Sequence, residues 1–183
     1  MSLKRRVTSK ELVLCSLFSA LIAVGAWIQI PVPLMDYFTL QFFFVLLAGM
    51  LLGARLGMLS AAVYVGAGLL GFPLFAAGGG IGYVFRPSFG YLLGFVAAAF
   101  TAGKVCERIP ALTFRTAFGG AVAGMLVTYT IGFLYKYSLL NFYLGEPSPF
   151  YVILLSAFPL DIPGDFVLCV IAAKLAPRLK RSL

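Results

Sequence analysis

Asp165 follows Pro163 and Gly164 inside an otherwise apolar stretch of this 183-residue sequence, and Arg86 stands before Pro87 at the end of a glycine-rich run. An acid inside a membrane helix costs about 2.5 to 3.5 kcal/mol on insertion scales, so Asp165 is a ligand-contact candidate by default. Its position also suits the first turn of a helix, where the dipole favours negative charge. Asp161 fits an N-cap ahead of Pro163. The guanidinium of Arg86 can grip a carboxylate through two parallel hydrogen bonds, or reach toward lipid headgroups. The run before it reads FPLFAAGGGIGYVFRPSFGYLLGF from Phe72 to Phe95, and Gly78, Gly79, Gly80 and Gly82 let such a loop press against a ligand.

Other chemistry is poorly supplied. The chain has no His, which removes Ser-His and Cys-His nucleophile pairs and the commonest metal ligand. Of six acidic residues, Glu11 and Glu107 neighbour basic residues and Glu146 lies in a loop. No G-x-x-x-x-G-K-[ST] loop occurs, so uphill transport needs another subunit or an ion gradient. Cys15, Cys106 and Cys169 show no CxxC spacing and read as small apolar packing residues. We expect neither an enzyme, nor a metal site, nor a cofactor.

The elements that position these residues are apolar helices. The chain is 62% hydrophobic and 11% charged, with a mean hydropathy of +1.03. An ordinary soluble domain is about 45 to 50% apolar and about 25% charged. A chain this small leaves roughly 30% of its unfolded-state surface facing solvent, and the solvent for so apolar a surface is lipid. The expected fold is all-α, a polytopic membrane protein with a single domain over residues 1–183 and a compact bundle of six transmembrane helices. The spans are read as 12–30, 39–54, 56–72, 87–103, 116–135 and 150–175, the second and third forming a tight hairpin around Arg55. Pro159, Asp161, Pro163, Gly164 and Asp165 predict a break or kink in the last one. A cleaved signal peptide is disfavoured, because the first apolar stretch is too long and five more follow.

Orientation follows from Lys and Arg. With the N-terminus inside, twelve of the fourteen cations fall on the cytoplasmic side and only Arg86 and Lys136 lie outside, so both termini are expected to be cytoplasmic. The net charge of +8 then reflects membrane orientation rather than nucleic-acid binding. Small residues recur at helical spacing: Gly49, Gly53 and Gly57, then Gly90 and Gly94, then Gly120 and Gly124. Such faces let helix backbones approach in lipid, either within one bundle or at a partner. On the first span Ser16 with Ala20, and Ser19 with Ala23, make a stripe suited to docking a membrane partner.

Four segments taken together resemble a known family. They are Pro31 to Gly57 (PVPLMDYFTLQFFFVLLAGMLLGARLG), RPSFGYLLGF from Arg86, NFYLG from Asn141, and PGD at Pro163 to Asp165. In this order they resemble BioY, the biotin-specific S component of energy-coupling factor (ECF) transporters. The resemblance implies a six-helix protein of the plasma membrane that captures biotin at its outer face. It also implies a transmembrane coupling subunit and two cytosolic ATPases as partners, with the first helix as docking face. The same architecture carrying a different vitamin, and a non-transporting membrane scaffold, are the alternatives.

Biotin presents two ureido N–H donors and one carbonyl acceptor, which call for a carboxyl group and a donor. Asp165 is the expected acceptor. Thr39, Gln41, Asn141 or a backbone amide near Gly79 can donate to the carbonyl. Tyr83, Phe89 and Tyr91 can wall the thiophane ring and tail, as such pockets are largely apolar. Arg86 is expected at the valerate carboxylate or the ureido oxygen, and the loop from Pro31 to Phe38 over the site. The cavity is expected to close by the approach of the fourth and last spans. The family commonly has a lysine three residues after the PGD aspartate, where this chain has Leu168, and its GPTGG segment reads here as Arg86 to Gly90. Either Arg86 compensates or the ligand is held differently.

Overall fold

Seven α-helices and one short β-ribbon make up the described part of the chain, residues 8–31, 37–108, 111–157 and 160–182 of a computed structural model. In order they are α1 (Ser9–Trp27), β1 (Gln29–Pro31), β2 (Tyr37–Thr39), α2 (Gln41–Leu52), α3 (Ala54–Leu69), α4 (Phe89–Glu107), α5 (Phe114–Ser138), α6 (Phe150–Ser156) and α7 (Asp161–Lys180). Lys4, Arg5, Arg6, Pro159 and the centre of the Pro31 to Phe38 loop lie outside the described residues.

The ribbon is a small β addition to a fold that is otherwise helical, as expected of this chain. β1 and β2 pair antiparallel, with Ile30 opposite Phe38. Leu40 N–H donates to the carbonyls of Gly25 and Ile28 at 3.1 and 3.3 Å, so the ribbon is tied back to the end of α1. Its pairing satisfies backbone groups that neither neighbouring helix can reach.

Among the described residues three helical stretches are long and apolar enough to cross a membrane: Ser9–Trp27, Phe89–Glu107 and Phe114–Tyr143. The last of these is α5 continued by a turn of π-helix over Leu139–Tyr143. The pair α6 and α7, bent by 51°, counts as a fourth. α2 and α3 are shorter, 12 and 16 residues, or about 18 and 24 Å at the helical rise of 1.5 Å per residue. Pro163 and Gly164 lie inside the first turn of α7 and do not interrupt it, since a proline in the first turn loses no intrahelical bond. Asp161 is the first helical residue rather than an N-cap, and Leu160 holds the cap position.

α2 is the centre of the bundle. Nine of its twelve residues are buried, from Gln41 to Leu51. It packs on α1, α3, α4 and α7, and α4 makes its most extensive contact with α5. Glycine is what lets the backbones come this close. A Cβ at Gly57 would lie 2.6 Å from the Cα of Gly49, joining α3 to α2. One at Gly94 would lie 2.9 Å from the Thr128 backbone, joining α4 to α5, and one at Gly120 would lie 3.0 Å from the Ala102 carbonyl. The small-residue pairs seen in the sequence therefore serve packing within this bundle.

The turn between α2 and α3 is held from two sides. Gly53 has φ +90°, a conformation that disfavours side chains. The Ala54 N–H donates to Glu107 Oε1 at 2.8 Å, which places an acid at the positive end of α3. Lys180 Nζ donates to the Leu51 carbonyl and satisfies the last turn of α2. The three cysteines are buried and unpaired, as small packing residues are.

Gly94→Leu is expected to destabilise the bundle by about 1 to 3 kcal/mol through overpacking against α5. Gly119→Leu, which has nothing within 4 Å of its new Cβ, is expected to be tolerated. Thermal unfolding in detergent checks the pair: the midpoint falls by several degrees for the first and holds for the second.

Candidate functional site

A cavity of about 390 Å³ opens between the ribbon and the facing ends of α2, α4, α5 and α7. That size falls within the range of small-molecule pockets, about 300 to 1,000 Å³. The helical period builds its walls. Ser88, Tyr91, Leu92 and Phe95 share one face of the start of α4, Tyr129 and Lys136 lie seven residues apart on α5, and Asp161 and Asp165 lie four apart on α7. Phe38, Thr39, Gln41, Phe42, Ala76, Tyr83 and Pro87 complete the lining.

The acid is held by a residue that the sequence reading did not single out. Tyr129 donates its hydroxyl to Asp165 Oδ2 at 2.8 Å. The tyrosine is fixed in turn by Tyr91, whose ring meets it edge-on at 5.9 Å. Tyr91 lies over Gly132, where a Cβ would come within 2.7 Å of the ring. On α7 the missing side chain at Gly164 has a similar use, because a Cβ there would lie 2.6 Å from the Phe38 ring. The ribbon thus rests on the turn that carries Asp165.

A second network fixes the opposite wall. Thr39 donates to Gln41 Oε1 at 3.0 Å, Gln41 Nε2 donates to the Tyr64 hydroxyl, and that hydroxyl donates to the Leu74 carbonyl at 3.2 Å. Phe75 stacks edge-on against Tyr64 at 5.6 Å and meets Tyr83 at 4.5 Å. The glycine-rich loop is thereby pinned to α3, and Gly80 N–H adds a bond to the Gly68 carbonyl at 2.7 Å.

Of the residues expected at the site, Thr39, Gln41, Tyr83, Tyr91 and Asp165 line the cavity. Four others do not. Gly79 is exposed, and a side chain there would strike the Phe72 carbonyl, so it serves the turn of its own loop. Phe89 is buried against the Tyr135 ring at 5.7 Å. Asn141 donates to the carbonyls of Tyr137 and Ser148, both at 3.0 Å, and accepts from Ser148 N–H, clamping the loop after α5. Arg86 is exposed, with its guanidinium 5.4 Å from the Tyr83 ring centroid. The fourth and last spans both wall the cavity, and α5 joins them there, with Tyr129 meeting Asp165 of α7.

The cation in the lining is Lys136, whose Nζ also reaches Ser156 Oγ at 3.4 Å. Ser88 Oγ is buried in the lining and has no hydrogen-bond partner among the described residues. A buried hydroxyl of that kind calls for a partner. The cavity therefore offers two carboxyl groups, an amine and an unsatisfied hydroxyl set among aromatic rings. Such a set can orient a small polar-headed molecule with an anionic end.

On α1 the small-residue stripe divides. Ser19 donates to the Cys15 and Ser60 carbonyls at 2.9 and 2.8 Å, and Ala23 is buried, so this pair packs α1 on α3. Ser16 and Ala20 face outward among the exposed Leu12, Leu17 and Val24.

The sequence profile of the BioY family matches residues 1–183. A Lysinibacillus sphaericus protein named "Probable biotin transporter BioY" is 42% identical, the match covering 96% of this chain and 89% of that protein. The biotin transporter BioY of Thermotoga maritima is 37% identical, over 94% of this chain and 96% of its own. The fold is that of a solved S-component for biotin from an ECF-type ABC transporter, with a TM-score of 0.80 at 22% identity, covering 98% of this chain and 95% of that one. With its profile matched over residues 1–183 and relatives aligned along most of their own length, the chain is a membrane protein of the BioY family.

Proposed function

We propose that this chain is the biotin-capturing S component of an ECF-type vitamin transporter in the plasma membrane. The observation that carries the reading is the cavity holding Asp165 on Tyr129, in a chain whose relatives are named as biotin transporters. In this reading α1 to α5 and the bent α6–α7 pair make six crossings, both termini are cytoplasmic, and the cavity faces outward. The split of cations between the two ends supports that orientation. A transmembrane coupling subunit docks on the outward face of α1 at Ser16 and Ala20, and cytosolic ATPases drive delivery inward. The chain has no nucleotide loop of its own.

Inside the cavity Asp165 accepts the ureido N–H groups, while Ser88, whose hydroxyl is otherwise unsatisfied, donates to the ureido carbonyl. Tyr83, Tyr91, Phe42 and Phe95 wall the thiophane ring and the tail. Lys136, on α5, takes the valerate carboxylate. It supplies a cation where the family pattern has one at position 168, and this chain has a buried leucine there. Arg86, outside the lining, stands at the mouth.

Asp165→Asn is expected to weaken biotin binding at least tenfold, about 1.4 kcal/mol or more, by removing the ureido acceptor. Calorimetry on the purified variant checks it, and unchanged affinity defeats the assignment. A panel including thiamine and riboflavin, run on the unaltered protein, separates biotin from other vitamins. Lys136→Gln is expected to weaken biotin by roughly tenfold while leaving the affinity for biotin methyl ester as it was, because the ester has no charge for the amine to hold. Equal losses for acid and ester would place Lys136 in a purely structural role.

A further inference from the structure

The end of α7 carries a row of cations. Lys174 and Arg178 on α7 and Arg181 just beyond its last turn fall at spacings of four and three residues, which puts all three on one face. With Pro177 and with Phe114, the first residue of α5, they line an open groove on the surface. None of the three side chains makes an ion pair or a hydrogen bond among the described residues. Lys180, in the same stretch, is already engaged with the Leu51 carbonyl. The positive end of the α5 dipole adds to the same field. Like charges gathered along one groove without a counter-ion repel one another, and an anion relieves that repulsion.

The surroundings select the kind of anion. The Phe114 ring stacks on Phe118 at 5.8 Å and 14°, and Phe118 meets Phe166 edge-on at 5.8 Å. Phe114 and Phe166 are 43% and 45% exposed, and Val167 and Ile171 on α7 are exposed as well. An apolar track on the exposed surface thus begins at the basic groove. Free phosphate makes no use of such a track, whereas a phospholipid fills both parts. Basic pockets between membrane helices suit anionic headgroups.

We propose that Lys174, Arg178 and Arg181 bind the phosphodiester headgroup of an anionic phospholipid, whose acyl chains lie along Phe114, Phe118 and Phe166. The site is separate from the cavity that holds Asp165. It shares no lining residue with it.

Native mass spectrometry of the full chain in neutral detergent, titrated with dioleoylphosphatidylglycerol or dioleoylphosphatidylcholine, tests the site. The unaltered protein is expected to retain the glycerol lipid in preference to the choline lipid, and to keep it in millimolar inorganic phosphate. The triple variant Lys174→Gln, Arg178→Gln, Arg181→Gln is expected to lose roughly 100-fold in affinity, each cation contributing about a fivefold factor. A control with the same change in net charge, Arg55→Gln, Lys104→Gln, Arg108→Gln, keeps the affinity of the unaltered protein. Equal retention of both lipids, displacement by phosphate, or an equal loss in the control overturns the proposal. The lipid preference of the unaltered protein stands as a test even if the triple variant fails to fold.

Discussion

A carboxyl group set among apolar helices needs a hydrogen-bond partner, because water is not there to supply one at no cost. Tyr129 supplies it to Asp165, and much of the bundle follows from placing that hydroxyl. Tyr129 is on α5, so α5 has to lie between α4 and α7. That position requires close contact with α4, which Gly94 and Gly120 allow. The edge-on ring of Tyr91 then stops the phenol from swinging away, and Gly132 leaves room for that ring. A chain of small and large residues on facing helices thus ends in one oriented oxygen.

The helices were largely legible because lipid imposes a strong rule: a long stretch without charge satisfies its backbone only as a helix or a closed barrel. The glycine pairs could be read as contact faces but not matched to partners, since spacing carries no information about which helix lies opposite. The ribbon of Gln29–Pro31 and Tyr37–Thr39 was missed for a different reason. Its two strands are three residues each, and nothing alternates long enough to register.

At the site, residues within one turn of a recognisable motif were found and those defined by the fold were not. Thr39, Gln41 and Asp165 lie in segments that stand out, and the structure brings them to one cavity. Asn141 stands out equally, yet its amide is spent on Tyr137 and Ser148. Lys136 was visible as one of two outer cations and was given no task. Residues two turns apart share a face, but the spacing of seven from Tyr129 points to Lys136 only once the fold has shown that Tyr129 holds Asp165. Arg86 illustrates the converse: a guanidinium beside a glycine-rich loop is chemically apt, but the turn before α4 directs it outward, beside Tyr83.

The unequal lengths of the helices bear on the bilayer itself. α3 turns Met58, Leu59 and Val63 toward lipid and yet is about 24 Å long, against a hydrocarbon slab of about 30 Å. α5, on the other flank, is 25 residues long and overshoots it. By hydrophobic matching a thinner slab suits the α3 side and a thicker one the α5 side, so the two helices favour different bilayer thicknesses. A thinner membrane eases the mismatch at α3 and sharpens it at α5, and a thicker one does the reverse.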